Sequence, residues 1–260
     1  MTAGPVTAPR VAARAVNTRK IRAVLGQSRI ELLLTIRRGE SLLVSLVIPI
    51  GILLFFAKVD AVNTIKDPVA FLVPGVLALA VMSTAMVSLG IATGYERRYG
   101  VLKRLGSTPL SRAGLLTAKT LTVLVIEIGQ SIVIVGTGLA LGWTTSGRVV
   151  IAVLLLLVGT VAFAGVGLLM AGTLRAEANL AASNALFLVL LFLGGMAYPL
   201  HRLPGALQGV AKGLPAAALA ESVRGVLSGA GSAPTWSLVS LAAWAVAAPL
   251  VAARYFTWEE

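Results

Sequence analysis

The sequence has no cysteine and a single histidine among 260 residues, which excludes a disulfide framework, a thiolate metal site and a thiol nucleophile. Charge is scarce: Asp, Glu, Lys and Arg together make up 12% of the chain, with 10 acidic residues against 22 basic ones. No GxxxxGK followed by Ser or Thr occurs, so the chain offers no P-loop to cradle a nucleotide's phosphates. His201 stands beside Arg202 with no acidic neighbour, and reads as a membrane-surface residue rather than a catalytic base. No catalytic residue, metal ligand or bound cofactor is expected, and the chain does not read as an enzyme.

What fills the chain instead is apolar: 57% of residues are hydrophobic and the mean hydropathy is +0.92, values that fit a membrane protein and not a water-soluble core. A helix crosses the hydrocarbon layer with about 20 mostly apolar residues, so charge-free intervals mark the spans. Six intervals qualify, at about 41–58, 69–94, 113–142, 149–174, 178–199 and 236–253. The third is the least clean, because Lys119 and Glu127 fall inside it. The fold expected is an all-α integral membrane protein with six transmembrane helices.

The net charge of +12 is distributed as orientation requires, not as a nucleic-acid surface. Eight basic residues precede the first span, and six lie in or beside the second connection: Arg97, Arg98, Lys103, Arg104, Arg112 and Lys119. Both segments are assigned to the cytoplasm, which places both termini there, in a multi-pass bacterial cell-membrane protein.

Residues 1–18 have no apolar core of the signal-peptide kind and are expected to form a flexible cytoplasmic tail. Residues 19–40 repeat Ile21, Val24, Leu25, Leu32 and Ile36 at helical spacing between arginines, which predicts an amphipathic interface helix. The fourth span carries Gly159, Gly165, Gly167 and Gly172, small residues that let helices approach closely. Between the fifth and sixth spans, residues 200–230 are too long for a turn and too apolar for a water-filled loop. Pro199, Pro204 and Pro215 cut this stretch into short pieces, with Glu221 and Arg224 three residues apart on one helical face. An outer re-entrant helical hairpin follows from that pattern, buried against protein.

Glu127 is the one acidic residue inside a span, with Gln130 and Ser131 on its face. The stripe either lines a transport route or holds helices together by hydrogen bonds. The connection YERRYGVLKRLGSTPLSR, Tyr95 to Arg112, has another shape: a short helix is expected at about 97–105, and its apolar side, Val101, Leu102 and Leu105, is bounded by Gly100 and Pro109. Orientation needs only charge, whereas an apolar ridge with defined ends suits docking into a groove of another protein.

That connection resembles the cytoplasmic loop of type-2 ATP-binding-cassette exporter permeases, the group that includes daunorubicin and doxorubicin resistance permeases. Glu96, Arg97, Gly100, Leu102, Lys103, Arg104, Leu105, Thr108, Pro109, Leu110 and Ser111 carry the likeness, and Tyr99 departs from it. Pro199, Leu203, Pro204, Leu214, Pro215, Arg224 and Gly225 carry a second match in the hairpin. The resemblance implies the transmembrane subunit of an exporter, paired with a second permease in a homodimer or heterodimer. It also implies separate ATPase subunits, which would use ATP and Mg and act on this chain through its amphipathic lead-in helix and through Glu96, Arg97, Gly100, Val101, Leu102, Lys103, Arg104, Leu105, Thr108 and Pro109. The substrate implied is hydrophobic or amphipathic. An ion-gradient-driven secondary transporter or channel is the alternative, but it would need more buried ionisable groups than Glu127.

Overall fold

The computed structural model describes residues 8–37, 39–58, 67–106, 112–145, 147–196, 198–228 and 232–257. Among them the chain is helical throughout, without a strand. Helix α1 (Ala8–Arg37) leads into α2 (Gly39–Lys58), which continues through an internal Pro49. Next, α3 (Pro68–Val81), a π-helical segment (Met82–Ser88) and α4 (Leu89–Arg98) follow one another without a break. A short helix α5 (Val101–Gly106) precedes α6 (Arg112–Ala140), α7 (Val149–Thr173) and α8 (Ala176–Leu193). A 3-10 turn (Leu200–Arg202), α9 (Gly205–Gly213), α10 (Pro215–Leu227) and α11 (Thr235–Tyr255) complete the chain.

Five helices are long and apolar enough to cross a membrane: Pro68–Arg98, Thr117–Ala140, Val149–Thr173, Ala176–Leu193 and Thr235–Tyr255. The expected first span, 41–58, falls on α2, whose described apolar stretch Leu46–Phe55 is shorter than a crossing. Five helices rather than six therefore meet the requirement among the described residues.

Local chemistry sets the boundaries. Asp67 accepts from the backbone N–H of Ala70 at 3.0 Å, and Pro68 follows at the first helical position, so α3 starts with a satisfied cap and a preset φ. Pro215 opens α10 in the same position. Gly100, at φ +69, ends α4 by a left-handed residue, and its N–H donates to the carbonyl of Arg97 at 3.0 Å. The expected helix at 97–105 is therefore two elements: Arg97 and Arg98 complete α4, and α5 begins only after the glycine. Helix α1 begins at Ala8 and not at Arg19, because Pro9 is tolerated in a first turn and the following AARAV favours helix.

The Pro68–Arg98 span is the centre of the molecule. Residues Leu72 to Met82 are buried without interruption, surrounded by α2, α6, α7 and α10. Helix α7 reaches it through glycine: a Cβ on Gly167 would sit 2.5 Å from the carbonyl oxygen of Met86, and one on Gly165 2.5 Å from the nitrogen of Pro249 in α11. The glycine-rich span is packed on both sides at distances no larger residue allows.

Helix α10 is buried along nearly its whole length. Arg224 pairs with Glu221, donates to the carbonyl of Gly195 at 2.9 Å, and lies over the Phe71 ring at 3.8 Å. Arg148 N–H donates to the Val226 carbonyl and Thr145 hydroxyl to the Leu227 carbonyl. These bonds gather the start of α3, the α6–α7 turn and α10 at one end of the bundle. The other end gathers α4, α5, the α7–α8 turn and the C-terminal segment, so the hairpin and α5 lie at opposite ends.

Candidate functional site

The residues expected to meet an ATPase stand at that second end, but they divide into two roles. Arg97 is 5% exposed; its guanidinium donates to the Leu174 carbonyl at 2.8 Å and to the Thr257 hydroxyl at 3.3 Å. It therefore locks the end of α4 to the α7–α8 turn and the C-terminal segment. Arg98 pairs with Glu177 at the start of α8. Glu96 accepts from Lys119 of α6 at 2.6 Å. Three charges that mark orientation in the sequence are thus used to fix the corner.

Beyond Gly100 the surface opens. Tyr99 is 70% exposed, Val101 39%, and Lys103 is exposed. Leu102 is 0% exposed and turned into the chain's own interior. The apolar ridge expected from Val101, Leu102 and Leu105 is corrected on this point, because a six-residue helix must bury one side to be held at all. The exposed face is Tyr99, Val101 and Lys103. The backbone of Arg104 and Leu105 continues α5, while their side chains, and Thr108 and Pro109 entirely, lie outside the described residues.

In the membrane-spanning part, Glu127 is 6% and Gln130 5% exposed. Thr160 of α7 donates its hydroxyl to Glu127 Oε2 at 2.5 Å, and Thr84 of the π segment donates to Gln130 Oε1 at 2.9 Å. Ser131 is half-buried and joins neither pair. The polar stripe thus ties α6 to α7 and to the central span, with Glu127 Oε1 left without a partner. Of Pro199, Pro204, Pro215, Glu221 and Arg224, the prolines start or separate the hairpin's pieces and the ion pair fastens α10.

Sequence reasoning passed over the neighbouring charge cluster. Lys119 is 2% exposed, with its ammonium 2.6 Å from Glu96 and 3.4 Å from Glu31 of α1. Burial pushes the Glu31 carboxyl above the usual carboxylate range, opposed by the charge of Lys119 and the Gln27 hydrogen bond. Ser28 donates to the Ala118 carbonyl at 3.1 Å and Thr122 to the Ser28 carbonyl at 3.2 Å, so α1 meets α6 through its polar side. Its apolar residues Leu25, Ile30, Leu33 and Ile36 are exposed. A pocket of ≈ 120 Å³ lies between α1, the central span and α6, beside Glu31, Glu96 and Lys119. The signal was a lysine inside an apolar interval, which needs a counter-charge from elsewhere in the fold. Among the described residues no group of three or more His, Asp or Glu is placed to hold a metal ion.

Helices long and apolar enough to cross a membrane, with buried polar pairs between them and a charged corner at one end, mark a multi-pass membrane protein. Residues 27–228 match the family described as ABC-2 type transporter, and the chain belongs to that family. It is also similar to the Bacillus subtilis (strain 168) protein named "Putative transport permease YvfS": 28% identical over 220 residues, covering 81% of this chain and 86% of that protein. The chain is an ABC-2 permease.

Proposed function

We propose that the chain is the transmembrane subunit of an ATP-driven exporter in a bacterial cell membrane, with both termini cytoplasmic and α2 completing a six-span arrangement. Two permease chains, identical or related, enclose a path for a hydrophobic or amphipathic substrate such as a drug, lipid, polyketide or glycolipid. Separate ATP-binding-cassette ATPases, using ATP and Mg, dock on each chain. The chain itself binds no nucleotide and no nucleic acid, and lipids surround its apolar faces. The α9–α10 hairpin dips into the outer leaflet.

The observation that carries this reading is the α4–α5 corner. Tyr99, Val101 and Lys103 present a small exposed face, while Leu102, Arg97 and Glu96 bind that face rigidly to the central span, to α6 and to the α7–α8 turn. A push on the exposed face is therefore delivered to the central span and to α6, which carries Gln130 and Glu127. Coupling requires that the ATPase bind one arrangement of those helices better than the other, since a partner with equal affinity for both shifts nothing.

Co-expression with a cognate ATP-binding-cassette ATPase tests the docking. The wild-type chain retains the ATPase through purification, and V101D/K103E loses it while still inserting in the membrane. Normal retention by that variant would overturn docking at α5.

A further inference from the structure

We infer that Lys119 is the positioning residue that passes movement of the α4–α5 corner to α1 and α6, by shifting its ammonium between Glu96 and Glu31. This rests on the exporter reading above and adds the element that changes state. A lysine 2% exposed cannot be left unpaired, because removing a partner from a buried ion costs far more than moving the ion to another partner. Two partners are present, and they belong to different bodies. Glu96 is the residue before the anchored Arg97, so it moves with the corner; Glu31 belongs to α1.

The two pairings are unequal, 2.6 Å to Glu96 and 3.4 Å to Glu31, which makes the present arrangement the Glu96-bound one. The pocket of ≈ 120 Å³ beside them leaves the flexible lysine stem room to swing. Ser88 and Thr84 of the π segment line the same space, and π segments inside α-helices concentrate at functional sites. Among the described side chains of α1, Arg22, Arg29 and Arg37 are exposed and do not compete. What results is an element with two discrete pairings, the kind of device that transmits coupling through a packed structure.

The chain has no cysteine, so spin labels placed at L25C on α1 and I128C on α6, both exposed, report the α1–α6 distance within one chain when labelled chains are diluted with unlabelled ones. The sample is the permease–ATPase complex in lipid nanodiscs, with and without ATP and Mg. In the wild-type background, nucleotide shifts the distance distribution. E96Q holds it at the nucleotide-bound position and E31Q at the nucleotide-free position; each keeps one carboxylate for Lys119, so the fold survives. K119R preserves the shift. Wild-type-like shifts in both glutamine variants, with the ATPase retained, would overturn the inference while leaving the exporter reading intact. A wild-type complex that binds the ATPase but shows no nucleotide-driven shift overturns both.

Discussion

Lys119, Glu31 and Glu127 are the residues whose surroundings ask the most of the chain. Glu31 lies between Lys119, Gln27 and the like charge of Glu96, and burial outweighs the lysine, so its carboxyl titrates above an unfolded chain's. The folded state then holds the proton more tightly than the unfolded state. Its stabilising contribution is complete below the unfolded value, about 4.3, and is lost as the pH rises through the folded one. The thermal midpoint of the wild type should therefore fall relative to E31Q as the pH is raised from about 4 to neutrality. A rise over that window would show that the Lys119 attraction dominates instead. Thr160 is the one recorded partner of a buried carboxylate whose other oxygen is unbonded. T160V should cost roughly 1–3 kcal/mol in the wild type and distinctly less in an E127Q background, read as non-additivity in a double-mutant cycle of detergent unfolding. Strict additivity would show that Glu127 and Thr160 do not interact.

At the scale of elements, α7 and α5 carry the sharpest contrasts. A Cβ at Gly167 would meet backbone of the π segment, whereas one at Gly129 on α6 would meet nothing within 4 Å. G167A should destabilise by about 1–3 kcal/mol through overpacking, and G129A should be neutral or stabilising by up to about 1 kcal/mol. Thermal unfolding of the two variants distinguishes them, and equal midpoints would contradict the close helix approach. On α5, L102D removes a fully buried side chain worth about 1.5–3 kcal/mol and should lower the thermal midpoint, while V101D should leave it unchanged. The glycine stripe of α7 and the boundaries of α9 and α10 were legible in the sequence, because small residues and prolines act locally. The direction of Leu102 was not, since periodicity names an apolar side without saying what covers it. Nor was the start of α1, where an alanine- and arginine-rich stretch has no punctuating residue. The pairing of Lys119 with Glu31 and Glu96 joins residues far apart in sequence, and no spacing rule reaches across that separation.

For the whole molecule, the two ends have different constructions. One is closed by α10, whose buried face and Arg224 network bind the starts of α3 and α7. The other ends in a corner held by Arg97, Glu96 and Lys119 and finished by a small exposed face. The family and the apolar spans could be read from composition and motif, whereas this division of labour between ends required the packing. An α5 face that receives the ATPase should be caught in contact with it by photocrosslinking in intact membranes. Benzoyl-phenylalanine replaces Val101 in one sample and Val210, exposed on α9 at the opposite end, in another. Mass spectrometry of the adducts should identify an ATP-binding-cassette ATPase joined at position 101 and none at position 210. An ATPase adduct at position 210, or its absence at position 101 while the ATPase co-purifies, would rule out docking at α5.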